Sequence, residues 1–186
     1  MLEEIIEAVK DGMEKSIEAL RRDLAAIRTG RASTAMLDNV RVEYYGNMTP
    51  LNQMATISVP EPRLLMVKPW EAKLIPVIEK ALFADKSLGL NPSNDGAIIR
   101  LPIPELTEER RVEITKVARN RAEEGRVAVR HARHDGIDLL QEAQKDGDIS
   151  EDESRRAQES VQKLTDEYVE RVNEIVKNKE EEIMEV

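Results

Sequence analysis

The stretch ARNRAEEGRVAVRHARHDGIDLLQEA, Ala118–Ala143, decides the fold. Ala118, Ala122, Gly125, Val129, Ala132, Gly136, Leu139 and Ala143 recur in alternating steps of four and three, which lines them along one side of a helix. Most are alanine or glycine, short enough to let a second helix approach closely. Upstream, Thr107 is placed to cap this helix, and Glu108 and Glu109 suit the positive end of its dipole. The helix is predicted to run to about Asp146, roughly 60 Å at 1.5 Å per residue, where KDGD breaks it.

Downstream, Ser150 and Glu153 have the spacing of a capping box. They open a last helix with the stripe Ala157, Val161, Leu164, Tyr168, Val172 and Ile175. At the other end, Leu2, Ile6, Val9, Met13, Ile17, Leu20, Leu24 and Ile27 predict an amphipathic helix from Met1 to about Thr29. An amphipathic helix needs a partner for its apolar face, and three of them satisfy one another as a bundle. Residues 1–29 and 106–186 are therefore assigned to a three-helix bundle.

Residues 30–105 read differently, as a small mixed α/β module inserted between the first and second helices. Val40, Val42 and Tyr44 alternate as in a strand, with YGNMTP as the following turn. ATISV and RLLMVK are further strands, and KLIPVIEKALFADKSLG a helix with Pro76 in its first turn and Gly89 past its end. NPSNDG reads as a loop and AIIRLPI as the last strand. Alternation sends Tyr44 and Tyr45 to opposite faces. The fold class is thus α+β. The chain leaves the bundle through RTGRAS and returns through LPIPEL, and Thr29, Gly30, Pro102 and Pro104 at these crossings are read as a hinge, the alternative being two rigidly packed domains. Proline in place of Gly30 is expected to stiffen it.

The chain of 186 residues carries a net charge of −9, yet its basic residues are not spread evenly. Between Arg110 and His134 the cations at 110, 111, 116, 119, 121, 126, 130 and 133 face only Glu113, Glu123 and Glu124. Arg119, Arg126, Arg130 and Arg133 each follow a seam position by one residue, about 100° round the helix, and so form a flank beside the seam. A basic flank on an acidic chain suits phosphate binding that the remaining charge keeps selective. The alternative is a solvated face paired with acids. Glu123 and Arg126 stand three apart, whereas Glu123 lies seven residues before Arg130, read as too far for a direct pair.

Other chemistry is poorly supplied. With no cysteine, disulfides and thiolate metal sites are excluded, and a reducing cytoplasm is the expected home. MLEEIIEAVK has no basic leader region, and no apolar run reaches the length of a membrane span. Aromatic residues at 3% argue against reading single strands by base stacking. His131 and His134 share a face, but two histidines alone do not make a metal site. No phosphate loop or nucleophile elbow appears.

RTGRAS (28–33), VEYYG (42–46), PLNQMA (50–55), LGLNPSN (88–94), LTEERR (106–111), RVAVR (126–130) and DISEDESRRAQESVQKLTDEY (148–168) together resemble ribosome recycling factor, in order and over essentially the full chain. The resemblance implies an L-shaped protein whose bundle contacts 23S rRNA on the large ribosomal subunit. It also implies a partner, elongation factor G, that acts on the small domain and hydrolyses GTP to split the ribosome after termination. Arg133 matches the family's key rRNA-contacting arginine. Arg130, Arg28 and Arg31 match other basic positions, and Arg126 and Arg119 extend the stripe. His134 stands where the family commonly has a second arginine, and His131 where it commonly has asparagine, which implies a weaker contact there. No catalytic residue, cofactor, DNA or membrane is expected, and the protein is expected to be a monomer. A helical adaptor that binds other proteins is the competing reading.

Overall fold

A computed structural model of the chain describes residues 1–85 and 88–185. The chain divides into two compact units, one of Met1–Thr29 with Glu108–Val186 and one of Gly30–Thr107. The first holds three helices: α1 (Leu2–Ala25), α3 (Glu108–Lys145) and α4 (Glu151–Met184), each packed against the other two. The second holds β1 (Arg41–Tyr44), β2 (Asn47–Pro50), β3 (Ala55–Glu61), β4 (Leu64–Pro69), α2 (Ile75–Ala84), β5 (Ser93–Asn94) and β6 (Ile99–Pro102).

In the bundle, α1 buries Val9, Met13, Ile17, Leu20 and Leu24. It stops at Ala25, short of the expected Thr29: Ile27 bonds back to Leu24, and Thr29 is buried with its hydroxyl donated to Glu182 at 3.0 Å. The small seam residues of α3 meet α1 directly. A Cβ added at Gly125 would lie 3.4 Å from Leu20, and one at Gly136 only 2.2 Å from Val9. The seam departs from its expected course late in α3, where Leu140 is buried and Leu139 is 46% exposed. On α4, Thr165 and Val176 take the buried places expected of Leu164 and Ile175, which are half-buried. The Thr165 hydroxyl is satisfied by the Val161 carbonyl at 2.8 Å. Ser150 and Glu153 form the capping box, each side chain bonding the other's backbone N–H. Between α1 and α4, Glu14 accepts from Arg171 Nη1 (2.9 Å) and Nη2 (3.1 Å) and from the Tyr168 hydroxyl (2.6 Å), with the Arg171 guanidinium over the Tyr168 ring.

In the small unit all strand pairings are antiparallel, in a hairpin β1-β2 and a sheet of order β3-β4-β6-β5. Alternation sends Leu65 and Val67 of β4 and Ile99 and Leu101 of β6 into a core shared with Val42, Leu51, Met54 and, from α2, Ile78 and Leu82. YGNMTP is more than a turn: only Tyr45 and Gly46 turn, both at positive φ (48° and 81°), and Asn47–Pro50 pairs with β1. Two residues of that handedness match the twist of a tight hairpin. Tyr45 therefore leaves the strand's alternation, and its ring meets that of Tyr44 edge-on, centroids 4.4 Å apart. NPSNDG is likewise not all loop, because Ser93 and Asn94 pair with β6. α2 ends at Ala84, and Asp85 is already extended. Lys86 and Ser87, inside the stretch read as helix, lie outside the described residues, as does Val186.

Candidate nucleic-acid interface

The antiparallel packing of α3 on α4 sets the arginine flank. Arg119, Arg126 and Arg133 follow at seven-residue steps, two helical turns, so all three face the same side of α4. Arg119 Nε meets Glu180 at 2.6 Å, and that carboxylate raises the arginine's pKa. Arg126 Nε donates to Asn173 Oδ1 at 2.9 Å and its Nη1 to Glu123 Oε2 at 2.9 Å. Arg133 Nη1 donates to Gln162 Oε1 at 2.9 Å, while its Nε is buried and has no acceptor among the described residues. Arg130 lies alongside, with Nη1 3.5 Å from Glu123 Oε1.

The last contact corrects the sequence reading. Seven residues are two turns, so Glu123 and Arg130 share a face about 10.5 Å apart along the axis. A long helical side chain leans back toward the N-terminus, and Arg130 reaches. Hydrogen bonding from Arg126 first, and then the charges of Arg126 and Arg130, hold the Glu123 carboxyl below the usual carboxylate range. Three arginines of the flank thus touch carboxylates of their own molecule. Arg119, Arg130, Glu123 and the Arg133 contact are solvent-exposed, where ion pairs are weak and exchangeable. Arg126 is the exception, with a side chain only 23% exposed. The nearby histidines face acids one turn on, His131 with Asp135 at 3.3 Å and His134 with Asp138 at 3.6 Å. Among the described residues no group of His, Asp and Glu is placed to hold a metal ion, and no helix is long and apolar enough to cross a membrane.

Residues 20–184 match the family model described as ribosome recycling factor. The chain belongs to the ribosome recycling factor family. A ribosome-recycling factor of Desulforamulus reducens is 52% identical over 186 residues, covering all of both chains, and one of Geobacter metallireducens is 53% identical with the same coverage. A solution structure of a ribosome recycling factor aligns with a TM-score of 0.75 at 41% identity, over 100% of this chain and 98% of that one. A second structure aligns at 0.64 and 44% identity over the whole of both chains. It is described as models for the T. thermophilus ribosome recycling factor and the E. coli elongation factor G bound to the E. coli post-termination complex.

Of the basic positions that the family likeness singled out, α3 brings Arg119, Arg126, Arg130 and Arg133 together. Arg28 is exposed on the segment after α1, and Arg31 is exposed in the other unit. Of the partners that shape the flank, Glu123 was legible three residues before Arg126, whereas Asn173, Gln162 and Glu180 of α4 were not. Asn173 and Glu180 stand seven apart on α4, as Arg119 and Arg126 do on α3, but pairing them needs the register between the helices. Around the expected hinge, Gly30 has φ +78° and its missing Cβ would lie 3.0 Å from Leu106 Cγ. Proline requires φ near −65°, so Gly30→Pro would distort the turn instead of stiffening it. Pro102 lies in β6 opposite Leu64. The β3–β4 turn holds both connecting segments: Ala32 N–H bonds Pro62 O at 2.7 Å, Ile103 N–H bonds Arg63 O at 2.8 Å, and Arg63 pairs with Glu105 at 2.6 Å.

Proposed function

We propose that this protein recycles the ribosome after termination, in the cytoplasm and as a monomer. Its bundle binds the large subunit by setting the flank of Arg133, Arg130, Arg126 and Arg119, with Arg28 and Arg31, against 23S rRNA phosphates. Guanidinium groups suit this, because they hold phosphate oxygens bidentately, and paired RNA is met mainly through shape and backbone. Elongation factor G then acts on the small unit. GTP hydrolysis by that factor supplies the work that separates the subunits and frees mRNA and deacylated tRNA, and this chain performs no covalent chemistry. The solved structure that pairs a relative with elongation factor G on a post-termination complex supports the assignment of partners. Flexing between the units is assigned to Gly30, with Thr29 as the post on the bundle side and Pro102 and Pro104 on the returning segment.

The observation that carries the reading is Arg133. It sits in the flank at the family's rRNA-contacting position, and its hydrogen bond goes to a neutral amide. The helical-adaptor reading draws on the carboxylates at Arg119, Arg126 and Arg130. Arg133→Glu separates the two. It abolishes binding to isolated large subunits while the melting temperature stays the same; undiminished affinity would favour the adaptor.

A further inference from the structure

We infer that Gln162 and Asp166 of α4 are positioning residues that hold Arg133 in place with its charge uncancelled. The inference rests on the rRNA-binding reading of Arg133 and deepens it.

Along the α3–α4 seam, the arginines at 119, 126 and 133 descend α3 as positions 180, 173 and 166 ascend α4. At the first level Arg119 meets the Glu180 carboxylate directly, and at the second Arg126 meets the Asn173 amide. At the third the acid is Asp166, and Arg133 does not bond it. Gln162, one turn earlier on α4, stands between them: its Nε2 donates to Asp166 Oδ1 at 2.9 Å, and its Oε1 accepts from Arg133 Nη1 at 2.9 Å. The orientation of this amide is fixed by chemistry. A carboxylate only accepts and a guanidinium only donates, so the reversed amide would lose both bonds.

The amide therefore does what a carboxylate in its place would not. It anchors one N–H of the guanidinium and leaves the positive charge whole. The remaining outward N–H groups keep their donor capacity for an anion. Asp166, in turn, keeps the amide from rotating. Arg133 depends on this one anchor, since its buried Nε has no acceptor among the described residues. Arg119, Arg126 and Arg130, each on a carboxylate, must exchange one anion for another to bind phosphate. Arg133 is ready without exchange, and preorganised groups lose less on binding.

Binding of the full chain to isolated large subunits, measured against salt, tests this with four variants. Gln162 is exposed on a helix, so its replacement leaves the fold intact, and melting temperature checks that. Gln162→Glu puts a carboxylate on Arg133; it weakens binding on the order of tenfold and lowers the slope of log affinity against log salt by about one phosphate contact. Gln162→Met loses the anchor but no charge; it weakens binding roughly threefold with the slope kept. Arg133→Ala weakens binding and lowers the slope, and in that background Gln162→Met costs nothing more, because its effect passes through Arg133. If Arg133→Ala weakens binding while both Gln162 variants match the wild type in affinity and slope, the positioning role is refuted and the rRNA reading stands. If Arg133→Ala itself binds like the wild type, both fall.

Discussion

Val9 of α1 lies directly on Gly136 of α3, so close that a Cβ on the glycine would fall 2.2 Å from Val9 Cγ2. Valine is stiff at χ1 and cannot swing away. Gly136→Ala gains about 1 kcal/mol of helix propensity, but overpacking a stiff neighbour costs typically ~1–3 kcal/mol and more when backbone must move. Net destabilisation of up to about 2 kcal/mol is expected, seen as a fall in the helical melt. At Gly125 the added Cβ would sit at ordinary contact distance, 3.4 Å from Leu20 Cδ2, so Gly125→Ala is expected to raise the melting temperature. Equal shifts at the two glycines would contradict this account of the crossing.

Glu14 gives the bundle an acid-sensitive tie. Hydrogen bonds from Arg171 and then Tyr168 lower its carboxyl pKa to about 2. A carboxyl depressed on folding stabilises above its unfolded pKa, near 4.3, and that contribution disappears as pH falls toward 2. Wild type and Glu14→Gln are therefore expected to differ in melting temperature at neutral pH and to converge between pH 4.5 and 2. A constant gap across that range would show that the tie does not titrate with Glu14.

Glu123 restrains two arginines at once, through Oε2 to Arg126 and Oε1 to Arg130. Glu123→Gln keeps the side chain's shape and removes the charge that phosphate must displace. Severalfold tighter binding to large subunits is expected, with a steeper salt dependence. Filter binding over a salt series checks it, and weaker binding would mean that Glu123 orients the pair productively.

Gly30 occupies the left-handed region with Leu106 against it. Gly30→Ala is expected to cost about 1–2 kcal/mol from backbone handedness alone. Gly30→Pro is expected to cost more, since it must change φ. Thermal melts of both variants against wild type give the order; a proline variant as stable as wild type would place the flexing elsewhere.

What the sequence made legible follows the range of each signal. The capping box of Ser150 and Glu153 is local, and it was readable from two letters three apart. The Tyr45–Gly46 turn hid a strand because a two-residue hairpin leaves almost no punctuation between its arms. In α3 the four-three rhythm held except at Ala132, which is half-buried, and at Leu139, whose buried place Leu140 takes, and Ala143 is buried as expected. A straight helix drifts about 20° per heptad from such a rhythm, so single positions along a strict repeat exchange places with a neighbour, as Leu139 does with Leu140. The flank of arginines was visible for the same reason as the early seam. Its partners on α4 were not, because pairing Arg133 with Gln162 or Arg119 with Glu180 needs the register of two helices, which no single helix encodes.

The discontinuity of the bundle governs how the molecule is made. α1 is synthesised first, and Val9, Met13 and Ile17 emerge with nothing to cover them. The Gly30–Thr107 unit is contiguous and closes its own core while the ribosome is still translating. Only when Val161, Tyr168 and Val172 of α4 leave the exit tunnel can the first helix be enclosed on all its apolar sides. At ~5–20 residues per second that interval is roughly ten seconds. A nascent chain of this architecture thus carries a sticky amphipathic segment ahead of a finished domain until α4 has followed it out.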